Sequence, residues 1–156
     1  MGRTFIQPVP AGRTAKVKIK FNPVREVIEG KNVVVVDDSI VRGTTSRALV
    51  QLIRQAGAKE VHLRVASPPI TGPCYYGIDT PTKRELIGSN HTVEQIRQHL
   101  GVDSLGYLSL DGMLRAPGGD QAEFCHACFS GEYPTEIPDD LERARNAAPL
   151  LAAVTS

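Results

Sequence analysis

Two adjacent carboxylates, followed by hydroxyl side chains around one glycine, form the most chemically suggestive stretch of this sequence. It reads Val33-Val34-Val35-Val36-Asp37-Asp38-Ser39-Ile40-Val41-Arg42-Gly43-Thr44-Thr45-Ser46. Paired acids can accept hydrogen bonds from vicinal hydroxyls or orient Mg2+ through water. Backbone N–H groups at the start of a helix, with Ser and Thr hydroxyls beside them, make an anion site. Gly43 lets the backbone approach a ligand closely, and Arg42 either adds charge to the site or pairs locally. Together these groups suit a ligand with both a phosphate and vicinal hydroxyls, such as a sugar phosphate. The stretch lacks the G-x-x-x-x-G-K-[ST] spacing of a Walker A loop and the G-x-G-x-x-G of a dinucleotide site. An isolated Asp-Asp would more simply cap a turn. A strand before it and a helix after it favour the ligand reading.

Cys125-His126-Ala127-Cys128 is the second candidate. A Cys-x-x-Cys pair serves in redox chemistry, as half of a zinc site or in an iron–sulfur site. A redox pair would open a helix in a thioredoxin-like βαβ unit, which this segment lacks. A zinc or iron–sulfur site usually takes four ligands. Only Cys74 is left to join the pair, with His126 between the two cysteines as a further donor. An odd count of three cysteines argues against a disulfide framework.

The elements that must position these groups can be read from periodicity. Four valines bounded by polar residues at 31–36 predict a strand buried on both faces, as in a parallel sheet. Ala48, Leu49, Leu52, Ile53 and Ala56 share one face of a helix predicted over 46–56, with Gly57 just past its end. Val61, Leu63 and Val65 alternate with His62 and Arg64, which predicts a second strand with His62 on its surface side. Strand, helix, strand makes a βαβ unit and hence a parallel sheet with right-handed crossovers. The proline-rich segment 67–73 excludes regular structure. A short helix is predicted over 81–87, ended by Gly88. A firmer one starts at Thr92, where Thr92-Val93-Glu94-Gln95 has capping-box spacing, and ends at Gly101. Residues 105–110 predict a strand, and 141–150 hold helix formers. Strand-like pieces also fall at 4–6 and 17–20. The fold class is α/β.

The bulk composition narrows the partners. The chain has 156 residues, with 18 Lys plus Arg against 17 Asp plus Glu. A net charge of +1 argues against nucleic acid or an acidic membrane surface as a partner held by charge. Apolar residues at 41% and charged residues at 22% describe a globular protein. No apolar run is long enough to span a membrane, and the first residues lack the apolar core of a secretory signal, so a cytoplasmic location is expected.

Residues 33–46 resemble the phosphoribosyl diphosphate (PRPP) motif of type I phosphoribosyltransferases. The wording Asp37-Asp38-Ser39-Ile40-Val41-Arg42-Gly43-Thr44-Thr45-Ser46 resembles the glutamine PRPP amidotransferases, or amidophosphoribosyltransferases. Other blocks resemble the same family in the same order: Gly2-Arg3-Thr4-Phe5-Ile6-Gln7-Pro8, Ser67-Pro68-Pro69, Pro73-Cys74-Tyr75-Tyr76-Gly77-Ile78-Asp79, Asp103-Ser104-Leu105-Gly106-Tyr107-Leu108 and Phe129-Ser130-Gly131-Glu132-Tyr133-Pro134. Residues 9–14 depart from the family's more polar wording.

The resemblance implies an incomplete type I phosphoribosyltransferase fold over 1–115, with a flexible active-site loop at 1–16. A cysteine-bearing extension would follow at 116–138, and then a tail at 139–156 prone to disorder. It implies transfer of glutamine-derived ammonia to C1 of PRPP, giving 5-phosphoribosylamine and pyrophosphate, the first committed step of purine biosynthesis. Asp37 and Asp38 would contact the ribose hydroxyls and Mg2+. Ser39, Arg42, Gly43, Thr44, Thr45 and Ser46 would hold the 5′-phosphate. Arg3, Thr4 and Gln7 would belong to the loop that closes over PRPP. Cys74, Cys125 and Cys128 match three ligands of the structural [4Fe–4S] centre found in part of the family, the fourth lying upstream of this sequence.

The family's glutaminase half, with its N-terminal cysteine nucleophile, and the first strand and loop of the phosphoribosyltransferase domain have no counterpart here. The expectation is therefore a fragment, a split gene or a truncated gene model, inactive with glutamine on its own. The family further implies purine nucleotides as inhibitors and a homo-oligomer at full length. Two readings of other classes compete with this one. They are a non-catalytic PRPP- or nucleotide-binding module and a small metal-binding module built on the cysteines.

Overall fold

A computed structural model describes residues 22–118 and 123–146. The strand-like pieces at 4–6 and 17–20, and the loop residues Arg3, Thr4 and Gln7, lie outside these. The chain order is α1 (Arg25–Ile28), β1 (Asn32–Asp37), α2 (Thr44–Gln55), β2 (Glu60–Val65), a 3-10 turn (Lys83–Glu85), α3 (Ile87–Asn90), α4 (Val93–Leu100), β3 (Ser104–Tyr107), α5 (Leu110–Arg115), α6 (Ala127–Ser130) and α7 (Asp139–Asn146). The three strands form one parallel sheet in the order β1-β2-β3. The α/β class and the βαβ unit thus stand as the periodicity predicts.

The register explains the core. Val33 and Val35 of β1 pair with Val61 and Leu63 of β2, and Leu63 and Val65 pair with Leu105 and Tyr107 of β3. These side chains share one face of the sheet, because residues two apart on a strand point the same way. Val50 and Ile53 of α2 and Ile96 and Leu100 of α4 complete the cluster against that face, with Ile40 and Ile87 beside them. Helix α2 ends at Ala56, and Gly57 takes a positive φ of 93° where a side chain would be strained. Helix α4 starts on the expected capping box: Thr92 Oγ1 accepts from Gln95 N–H, and the Gln95 side chain accepts from Thr92 N–H.

Four details differ from the sequence expectation. Strand β1 is not buried on both faces, since Val34 is 60% and Val36 72% exposed. Among the described residues, α2 and α4 cover only the face that carries Val33 and Val35. The strand expected over 105–110 stops at Tyr107, because Ser109 caps α5 by accepting from Gly112 N–H. The helix expected over 81–87 is a 3-10 turn followed by α3. Gly88, expected to end that helix, lies inside α3. A Cβ there would sit 2.7 Å from the Ile70 carbonyl oxygen, so glycine serves close packing and not termination. In the C-terminal stretch, Asp139–Asn146 is helical.

The β2–β3 side of the sheet is tied by a charged contact. Asp103 Oδ2 accepts from Val61 N–H at 2.6 Å and from Arg54 Nη2 at 2.5 Å, joining β2, the start of β3 and α2. The Val61 N–H is the main cause that holds the Asp103 carboxyl below its ordinary value of 3.8, with Arg54 adding to it against a desolvation cost. A carboxyl whose folded pKa lies below the unfolded one adds stability above the unfolded value, and that stability is lost as pH falls through the folded pKa. Stability is therefore expected to drop below about pH 4. In Asp103→Asn that limb of the drop should be shallower, a difference that urea denaturation at stepped pH measures.

Candidate functional site

The carboxyl ends of parallel strands are where open α/β sheets bind ligands, and the acidic pair stands there. Asp37 is the last residue of β1 and Asp38 the first beyond it. The carbonyl of Asp37 accepts from Ala66 N–H, which anchors the acidic turn to the exit of β2. Asp37 Oδ1 accepts from Asp38 N–H at 3.1 Å, and Ser39 Oγ donates to Asp38 Oδ1 at 3.4 Å. Asp37 is half-buried while Asp38 is exposed. Burial pushes the Asp37 carboxyl above its usual range, opposed by the Asp38 N–H and reinforced by the neighbouring acid. One acid is thus held by the fold, with the other beside it in solvent.

Residues 39–43 then cross from β1 to α2. Ile40 is 2% exposed and plugs into the core, which fixes the middle of the loop from below. Gly43 has φ of 77°, a conformation natural to glycine. A Cβ there would also press on Ile87 Cδ1 at 3.1 Å. Helix α2 opens directly after it with Thr44, Thr45 and the buried Ser46, and no side chain among the described residues caps its N-terminus. The first N–H groups of a helix have no partner within it. The start of α2, with its hydroxyl residues, therefore lies at the same end of the sheet as the two carboxylates, the arrangement that a phosphorylated polyol needs.

Arg42 is engaged elsewhere. Its Nε donates to Glu85 Oε1 at 3.0 Å, and its Nη2 lies 2.8 Å from the same oxygen. Glu85 stands in the 3-10 turn Lys83–Glu85. The pattern Thr82-Lys83-Arg84-Glu85 has capping-box spacing, and that signal could have drawn attention to it. His91 and His99 are exposed. His62 is half-buried, 2.9 Å from Ser104 Oγ and 3.1 Å from Glu60 Oε2, outside the core cluster.

The cysteines are brought together by a second set of contacts. The carbonyl of Cys128 accepts from Thr71 N–H and Gly72 N–H, both at 3.0 Å, and Thr71 Oγ1 donates to the Phe129 carbonyl. Tyr133 Oη donates to the Pro73 carbonyl at 2.8 Å, and its ring meets Tyr75 edge-on at 5.0 Å. Tyr75 and Tyr76 both pack against Tyr133. All three cysteines are free thiols. Burial pushes the Cys128 thiol up, and Cys74 and then Cys125 add to the shift. Thiols are soft donors of the kind that iron–sulfur and zinc centres use. Among the described residues, no three His, Cys, Asp or Glu side chains already stand close enough to hold a metal. His126 Nδ1 is 2.9 Å from Ser130 Oγ.

The phosphoribosyl transferase domain family matches residues 7–76. The amidophosphoribosyltransferase of Methanothermobacter thermautotrophicus is 54% identical over 141 residues, covering 90% of this chain and 30% of that protein. That of Bacillus subtilis is 56% identical over 144 residues, again covering 90% and 30%. The solved structure of the B. subtilis glutamine PRPP amidotransferase complexed with ADP and GMP superposes with a TM-score of 0.73 at 56% identity, over 89% of this chain and 31% of that one. A structure described as the allosteric regulatory enzyme of purine biosynthesis gives 0.76 at 52% identity, over 95% and 33%. The chain spans about a third of the length of the relatives it matches.

Proposed function

The chain belongs to the phosphoribosyltransferases, on their amidophosphoribosyltransferase branch, and from that premise we propose that it forms the PRPP-binding part of an amidophosphoribosyltransferase. The whole protein would join ammonia nitrogen to C1 of PRPP while the bond from C1 to pyrophosphate breaks and pyrophosphate leaves. The observation that carries this reading is the acidic pair at the end of β1 beside the uncapped start of α2.

Each residue then has a task that its position supports. Asp37 and Asp38 accept hydrogen bonds from the ribose hydroxyls and hold the Mg2+ that PRPP brings. Mg2+ is commonly bound by one or two carboxylates plus substrate phosphates, so two acids suffice. The ion would supply charge neutralisation on the leaving pyrophosphate. Ser39, Thr44, Thr45 and Ser46, with the N–H groups that follow Gly43, receive the 5′-phosphate. Arg3, Thr4 and Gln7 would close over the sugar and keep water from an oxocarbenium-like C1.

The soft donor set at Cys74, Cys125 and Cys128 supports a structural [4Fe–4S] centre in the whole protein, with one ligand from elsewhere. Cytoplasmic location, purine nucleotide inhibition and homo-oligomerisation belong to the same proposal. The nucleotide claim is supported by the relative whose structure is complexed with ADP and GMP.

Calorimetric titration of the purified chain tests the binding claim. Saturable heat with PRPP that requires Mg2+ is expected, and no heat with either order of addition would overturn it. Pyrophosphate release measured with PRPP and glutamine should stay at background for the chain alone.

A further inference from the structure

We propose that Glu85, acting through Arg42, is a positioning residue that sets the shape of the loop 39–46. The role given to the loop rests on the reading of 39–46 as a phosphate cradle. The contact itself does not. Arg42 and Glu85 are 43 residues apart in sequence, and their side chains are each about 30% exposed, so solvent screens the pair only in part.

Glu85 is itself immobilised. Its Oε2 accepts from Thr82 N–H at 3.2 Å and from Thr82 Oγ1 at 2.9 Å, while its own N–H donates to the Thr82 carbonyl. Asn90 Nδ2 bridges the carbonyls of Arg84 and Leu86, both at 3.0 Å, which locks the turn from its other end. This turn touches the loop a second time, where Ile87 N–H donates to the Val41 carbonyl at 2.9 Å. Ile87 Cδ1 also occupies the space that a Cβ on Gly43 would need. The loop is therefore gripped at three consecutive residues, Val41, Arg42 and Gly43, by one rigid turn.

Amide hydrogen exchange of the chain, with and without PRPP and Mg2+, tests this in Glu85→Gln, Arg42→Gln and the double variant. Each single change should speed exchange in a peptide covering 39–46 by about three- to tenfold, the double no further, while a peptide covering 60–65 is unchanged. PRPP affinity, read by calorimetry, should fall by a similar factor in all three. Equal acceleration in both peptides would make Glu85 merely structural and overturn the proposal. So would additive effects in the double variant, or a much larger affinity loss in Arg42→Gln than in Glu85→Gln, the mark of a direct phosphate contact. If the wild-type chain binds no PRPP, the ligand reading fails, and the exchange data alone still decide whether Glu85 shapes the loop.

Discussion

Replacing both acids, Asp37→Asn with Asp38→Asn, is expected to weaken Mg2+-dependent PRPP binding by about 100-fold or more while leaving the fold at least as stable. Hydrogen bonds to a charged partner contribute about 1.5–3 kcal/mol each. Losing two of them, and the charge that attracts the ion, reaches that factor readily. The stability half of the expectation comes from Asp37. Burial disfavours its ionised form, so the fold holds this carboxylate at a cost. An amide of the same shape removes that cost and still accepts from Asp38 N–H. Calorimetry with PRPP and Mg2+, together with thermal denaturation, separates the two effects. Unchanged affinity, or a parallel collapse of binding and melting temperature, would count against the assignment.

Leu63→Ala should produce the largest loss of stability, about 2–5 kcal/mol. Leu63 is 1% exposed in the middle of β2 and pairs with Val35 on one side and Leu105 on the other. Any cavity there opens between both neighbouring strands, with α2 and α4 above it. Domains of this size have total stabilities of about 5–15 kcal/mol, so the loss takes a large share of the margin and the melting temperature should fall by roughly 10 °C or more. Because β2 also anchors the acidic turn through Ala66 N–H, PRPP binding should fall with the folded fraction and recover on cooling. Val36→Ala gives the contrast. That side chain is largely exposed, and its removal should cost less than about 0.5 kcal/mol. Urea denaturation of the two variants checks the difference.

These expectations show which parts of the molecule were legible without coordinates. The caps of α2 and α4 are local, because Thr92 and Gln95 or Ala56 and Gly57 carry their own instruction within a few residues. The acidic pair and its hydroxyl loop were legible for the same reason. What covers a strand is not local. Four consecutive valines read as buried on both faces, yet Val34 and Val36 lie open because, among the described residues, the helices pack only on the face that carries Val33 and Val35. The Arg42–Glu85 pair and the Tyr133–Pro73 bond join residues 43 and 60 apart. Neither has a sequence period, although the Thr82-to-Glu85 spacing marked one end of the first. Gly88 looked like a helix terminator, and only its approach to Ile70 shows that it serves packing.

The most direct measurement is a two-dimensional amide NMR titration of the chain with PRPP in the presence of Mg2+. Shift changes should concentrate on residues 37–46, saturate together, and vanish when Mg2+ is chelated. Changes confined to other parts of the chain, or none at all, would contradict the assignment of this strand end and loop as the PRPP site.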